Sequence, residues 1–192
     1  MNFKLNEITI IQSGVSLKTR IQNDPAGEYP VILMKDLSSE NILKTDSLFR
    51  ISTDKIKQHH ILKKGDIVFR SRGENLHPAI INDDIGNLVL ASPLISISIK
   101  KDNNVSVLPE YIHWYLQQKP AQQYFQKVSE GSLLRMISVQ QLSNIAIPVP
   151  SLEKQELVVE ISHLIDKELK IIETLSLKRK LLTNALLFKV IW

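Results

Sequence analysis

From Ser151 to Phe188 the chain carries neither proline nor glycine. Val158, Ile161, Ile165, Ile172, Leu175, Leu182 and Leu186 follow each other at alternating steps of three and four residues, with Glu168 and Arg179 at the two places where the stripe is broken. A sustained seven-residue repeat of this kind predicts a long helix of the coiled-coil type. Ser151 can cap its start, and Glu153 and Glu156 lie in the first turns, where the helix dipole favours negative charge. At 1.5 Å per residue such a helix reaches roughly 57 Å, more than the width of a small domain. One helix of this length cannot bury its stripe on such a domain alone. The expected partner is a second helix, from another copy or another chain. The alternative is a helix folded back across its own domain.

Upstream of Pro150 the pattern is different. Short apolar runs at 67–69, 79–81, 88–91 and 94–99 are separated by turn residues and predict strands. Ile95, Ile97 and Ile99 alternate with Ser96, Ser98 and Lys100, which predicts one buried and one exposed face. Residues 109–118 predict a helix with Pro109 in its first turn, and 120–129 a second, ended by Gly131. Residues 138–144 predict a helical turn and 145–148 a short extended piece. The expected architecture is a mixed α/β (α+β) domain over 1–150, followed by a long helix over 151–192. A hydrophobic fraction of 43% in 192 residues supports a real core.

Few chemistries fit this chain. It has no cysteine, so thiolate nucleophiles, thiolate metal sites and disulfides are excluded, in keeping with a cytoplasmic protein. The first residues, MNFKLNEITI, lack a signal-peptide pattern, and no apolar run approaches the roughly 20 residues of a membrane helix. The five histidines, His59, His60, His77, His113 and His163, show no metal-binding spacing. Asp83 and Asp84 lie in a turn-like NDDIG, and no glycine-rich phosphate loop is present. No catalytic or metal-ligating residue is therefore assigned.

Binding remains. In ILKKGDIVFRSRG, residues 61–73, a strand runs into a basic exit of small residues. Arg70 and Arg72 would share a face of that strand, and arginine can grip a phosphate or read guanine through paired hydrogen bonds. Ser71 and Gly73 would let a nucleic-acid backbone come close. The alternative is a solvated strand end. Further candidates are Ser132 and Arg135 in EGSLLRMIS, Lys18 and Arg20 in the KTR after Gly14, and Lys35, Asn75 and His77. The net charge of +4 is compatible with nucleic acid but does not establish it.

Taken in order, these stretches resemble the specificity (S) subunit of Type I restriction-modification systems. The matching features are Leu5-Asn6-Glu7-Ile8 leading to Gly14, Tyr29-Pro30 leading to Asp36-Leu37, LKKGDIVFRSRG at 62–73, YIHWYL at 111–116, and Gly131-Ser132 leading to Ile137-Ser138. The most specific is IAIPVPSLEKQ at 145–155, resembling the proline-rich run that opens the family's spacer helix. Full subunits of that family carry two target recognition domains and two spacer helices, and this chain has one of each.

The resemblance implies a half-subunit: one target recognition domain and one coiled-coil spacer helix. It implies a non-catalytic protein that reads a half-site in double-stranded DNA and holds a methyltransferase (M) subunit and a restriction (R) subunit there. S-adenosylmethionine, ATP and Mg would belong to those partners, with no cofactor on this chain. A homodimer would form through Val158, Ile161, Ile165, Ile172, Leu175 and Leu182. The competing expectation is a coiled-coil interaction or regulatory module without sequence-specific DNA binding.

Overall fold

The computed structural model describes residues 1–17, 21–37, 43–73, 76–101, 105–129 and 136–191. Lys18, Arg20, Asn75, Gly131, Ser132 and Arg135 lie outside the described residues.

The fold is mixed α+β. Its central sheet has four antiparallel strands in the order β2 (Thr9–Ser13), β8 (Leu94–Ile99), β5 (Ile67–Arg70) and β6 (Pro78–Ile80). A second, three-stranded sheet places β3 (Tyr29–Ile32) between β4 (Phe49–Ile51), antiparallel, and β7 (Val89–Leu90), parallel. A two-stranded ribbon pairs β1 (Asn2–Lys4) with β9 (Ala146–Pro148) and so ties the chain's start to the approach of the last helix. The helices are α1 (Leu5–Ile8), α2 (Pro109–Gln117), α3 (Lys119–Val128), α4 (Val139–Ser143) and α5 (Leu152–Ile191). Pro109 and Pro120 sit in the first turns of α2 and α3, where a missing N–H costs nothing. Ser138 caps α4. Its hydroxyl accepts from the Gln141 N–H at 3.1 Å, while the Gln141 side chain accepts from the Ser138 N–H at 2.9 Å.

The central sheet is covered on both sides. Ile67, Phe69, Ile95 and Ile97 meet the helices through Leu5, Ile112, Leu116 and Phe125, with the Phe69 and Phe125 rings 5.2 Å apart. On the other side Val68, Ala79 and Leu94 meet Ile32, Leu88 and Leu90 of the second sheet and its approaches. This corrects the expectation of an exposed face on β8. Ser96 is only 8% exposed, because the second sheet covers the face that the serines suggested was wet.

α5 is 40 residues long, or roughly 60 Å. Its first turns dock beside α2. Val158 and Val159 pack on the helical core, and Ser162 is half-buried. Gln155 is fully buried and joins three segments. Its Oε1 accepts from the Leu108 N–H at 3.0 Å, and its Nε2 donates to the Ser106 and Pro150 carbonyls, each at 3.0 Å. From His163 to Ile191 every residue is exposed. Beyond its docked start, then, the helix does not fold its stripe against its own domain.

Candidate functional site

One end of the central sheet gathers the basic candidates. The C-terminal ends of β2 and β5 and the N-terminal ends of β8 and β6 meet there. Ile67, Val68 and Phe69 are completely buried, so the strand is anchored by its apolar middle and Arg70 emerges at its rim.

Arg70 and Arg72 meet different surroundings. The strand ends at Arg70. Its Nη2 donates to the Leu37 carbonyl at 2.9 Å and the Met34 carbonyl at 3.4 Å, while its Nε is buried with no hydrogen-bond partner. Part of this guanidinium is thus committed to the turn at 34–37. Arg72 is exposed, and its backbone bridges to Met136. Ser71, expected to leave room for a nucleic-acid backbone, is 6% exposed. Its hydroxyl donates to the Pro93 carbonyl, and its own carbonyl accepts from the Ile137 N–H at 2.9 Å. Its small size is used inside the protein, where three chain segments cross. Gly73 has φ +118°, a region that favours glycine, and a Cβ added there would lie 3.9 Å from the Arg70 Cδ.

The other described candidates lie near this end. Lys35 is on the turn that Arg70 holds, with its ammonium 3.1 Å from the centre of the Phe49 ring. His77 directly precedes β6. The register that pairs Phe69 with Pro78 puts it across from Arg70. Burial lowers its pKa from the ordinary 6.5, which favours the neutral ring. The candidates outside the described residues have flanks here. Leu17 precedes Lys18, and Val15, two residues before Leu17, bridges to Ala91. Gly73 precedes the segment that contains Asn75, and Met136, bridged to Arg72, follows the one that contains Ser132 and Arg135. Gly14 permits the crossing beside Ala91, because a Cβ there would lie 2.5 Å from the Ala91 carbonyl carbon.

Exposed arginine, half-buried arginine and a histidine on a rigid sheet end can contact an anionic polymer and donate hydrogen bonds to it. Among the described residues no group of three or more His, Cys, Asp or Glu is arranged to hold a metal. No described helix is long and apolar enough to cross a membrane.

On α5, Ile161, Ile165, Ile172, Leu175 and Leu182 are 48–62% exposed. Val158 differs from the other expected pairing residues, because it packs against the chain's own core. Gln155 was not singled out as a contact by the sequence. Its only signal there was its place in the EKQ that opens the helix.

Comparison with known proteins bears on the fold and the family. Over 166 residues the chain is 26% identical to the Type I restriction enzyme MjaIX specificity subunit of Methanocaldococcus jannaschii, covering 85% of this chain and 37% of that protein. Its fold matches the HsdS subunit from Thermoanaerobacter tengcongensis with a TM-score of 0.64 at 18% identity, over 88% of this chain and 37% of that one. It also matches the Type-I restriction-modification system S subunit from M. genitalium with a TM-score of 0.56 at 13% identity, over 88% and 40%. The chain therefore spans well under half the length of these relatives. The family profile described as the Type I restriction modification DNA specificity domain matches residues 1–180. The chain belongs to the Type I restriction modification DNA specificity domain family.

Proposed function

We propose that this chain is a non-catalytic specificity subunit that reads one half-site in double-stranded DNA for a Type I restriction-modification complex. Residues 1–150 form the recognition domain. Residues 151–192 form the spacer helix, which pairs with a second copy and sets the distance between two recognition domains. The assembly holds a methyltransferase subunit and a restriction subunit on the DNA, in the cytoplasm. S-adenosylmethionine, ATP and Mg are bound by those partners. DNA contacts come from Arg72, Arg70, Lys35 and His77, together with Lys18, Arg20, Asn75, Ser132 and Arg135, which lie outside the described residues.

The observation that carries this reading is the gathering of basic residues at one sheet end in a chain that matches the family over residues 1–180. Phosphate contacts set affinity and salt dependence, and base contacts set specificity. Selection of random duplexes by the purified chain, together with its methyltransferase partner, tests the reading. The expected result is enrichment of a split motif. Recovery of duplexes with no shared motif contradicts it and favours an interaction module without sequence-specific binding.

A further inference from the structure

The exposed stripe of α5 is interrupted twice. Glu168 and Arg179 stand where the three-four spacing calls for apolar residues, and both are exposed in the single chain. Charged residues in a helical seam are costly unless they meet a partner of opposite charge. We propose that α5 pairs antiparallel with α5 of a second copy in one register, set by Glu168 of each copy meeting Arg179 of the other. This rests on the reading that the chain dimerises through α5.

The pattern is self-complementary in one arrangement. With the twofold axis between Ile172 and Leu175, each Ile172 faces Leu175 of the second copy. The next layers outward are Glu168 with Arg179, Ile165 with Leu182, and Ile161 with Leu186. Each layer occurs twice. The outermost layer brings Val158 beside Lys189, whose stem can cover apolar surface while its ammonium stays in water.

The competing arrangements are penalised by the same two residues. Sliding one heptad in one direction puts Glu168 against Ile172 and Arg179 against Ile161. Sliding the other way puts Glu168 against Leu186 and Arg179 against Leu175. Either slip buries all four charges against hydrocarbon. A parallel pair sets Glu168 against Glu168 and Arg179 against Arg179, like charge on like charge. A polar residue in a seam can fix register and orientation in this way. Orientation matters to the function, because only the antiparallel pair carries the two domains at opposite ends of the spacer.

Because the chain has no cysteine, introduced thiols report single contacts. In the proposed register Ile165 of one copy opposes Leu182 of the other, while the two Ile165 residues lie roughly 25 Å apart along the axis. Disulfides should form when I165C and L182C subunits are mixed and exchanged, and not within either preparation alone. E168R or R179E alone should raise the dimer Kd by about 10-fold or more, and the swap E168R/R179E should restore it. Cross-linking of I165C with itself, or a swap no better than the single variants, overturns the register while the dimer stands. A monomeric wild-type chain in sedimentation at micromolar concentration overturns the dimer reading and the register together.

Discussion

Arg70 holds a turn, and Arg72 stands free of it in solvent. The side chain of Arg70 reaches the carbonyls of Met34 and Leu37, so its replacement removes charge-assisted hydrogen bonds within the domain. R70A should lower stability by about 1.5–3 kcal/mol, read as a fall in the urea midpoint at constant slope. R72A should leave that midpoint unchanged and weaken DNA binding by about 1–3 kcal/mol, read by titration at fixed salt. Equal stability losses for both variants would contradict the division of roles. The sequence showed both arginines as strand-exit residues, but it could not show the turn at 34–37, because that contact joins residues 33 positions apart. His113 is a second residue whose setting comes from the fold. Burial is the largest influence on it and lowers its pKa below 6.5. The proximity of His163 adds to that, against opposing effects from a hydrogen bond with the Pro78 backbone and from Asp166 and Glu110. The unfolded chain therefore binds the proton more readily than the folded one. Stability from this group is present above pH 6.5 and is lost as pH falls below it. A wild-type urea midpoint that falls from pH 7.5 to pH 5 more than that of H113Q is the expected outcome. Identical pH dependence would contradict it.

At the scale of elements, the long helix was the most legible part of the chain. Its heptad spacing, its lack of proline and glycine, and the proline-rich run before it mark α5 closely. The short helices were legible for local reasons too: Pro109, Pro120 and Ser138 act within their own turns. The layering of the sheets was not legible. The serines of β8 suggest a wet face, but burial of that face depends on the second sheet, whose central strand β3 lies about 60 residues earlier in the chain. The docking of α5 was equally hidden, since Gln155 looks like one polar residue among many at a helix start. Its buried amide makes three hydrogen bonds to backbone groups. Q155A leaves the Leu108 N–H and two carbonyls without that partner and should cost about 2–3 kcal/mol. Hydrogen exchange checks the location. Faster exchange at Leu108 and the first turns of α5 is expected, with exchange in β5 and β8 changed only as much as global stability requires. Unchanged exchange at Leu108 would show that the amide is not what fastens the helix.

At the scale of the whole molecule, the chain carries two surfaces with different demands. The sheet end presents cations on a rigid frame, and α5 presents an apolar stripe that a single copy leaves in water. In the proposed pairing, two copies joined through that stripe would present two equivalent sheet ends at a fixed separation, and such symmetry would be mirrored by an inverted repeat in the DNA. The ordered motifs made the family legible, because each reflects a backbone need: a glycine where strands crowd, prolines before a helix. The bases to be read were not legible, since they depend on how side chains from several loops converge. The most direct test of the central claim is genome-wide base methylation in host cells with and without this gene. Loss of methylation at one split motif, with its halves forming an inverted repeat, is the expected result. Methylation unchanged at every motif would contradict the account.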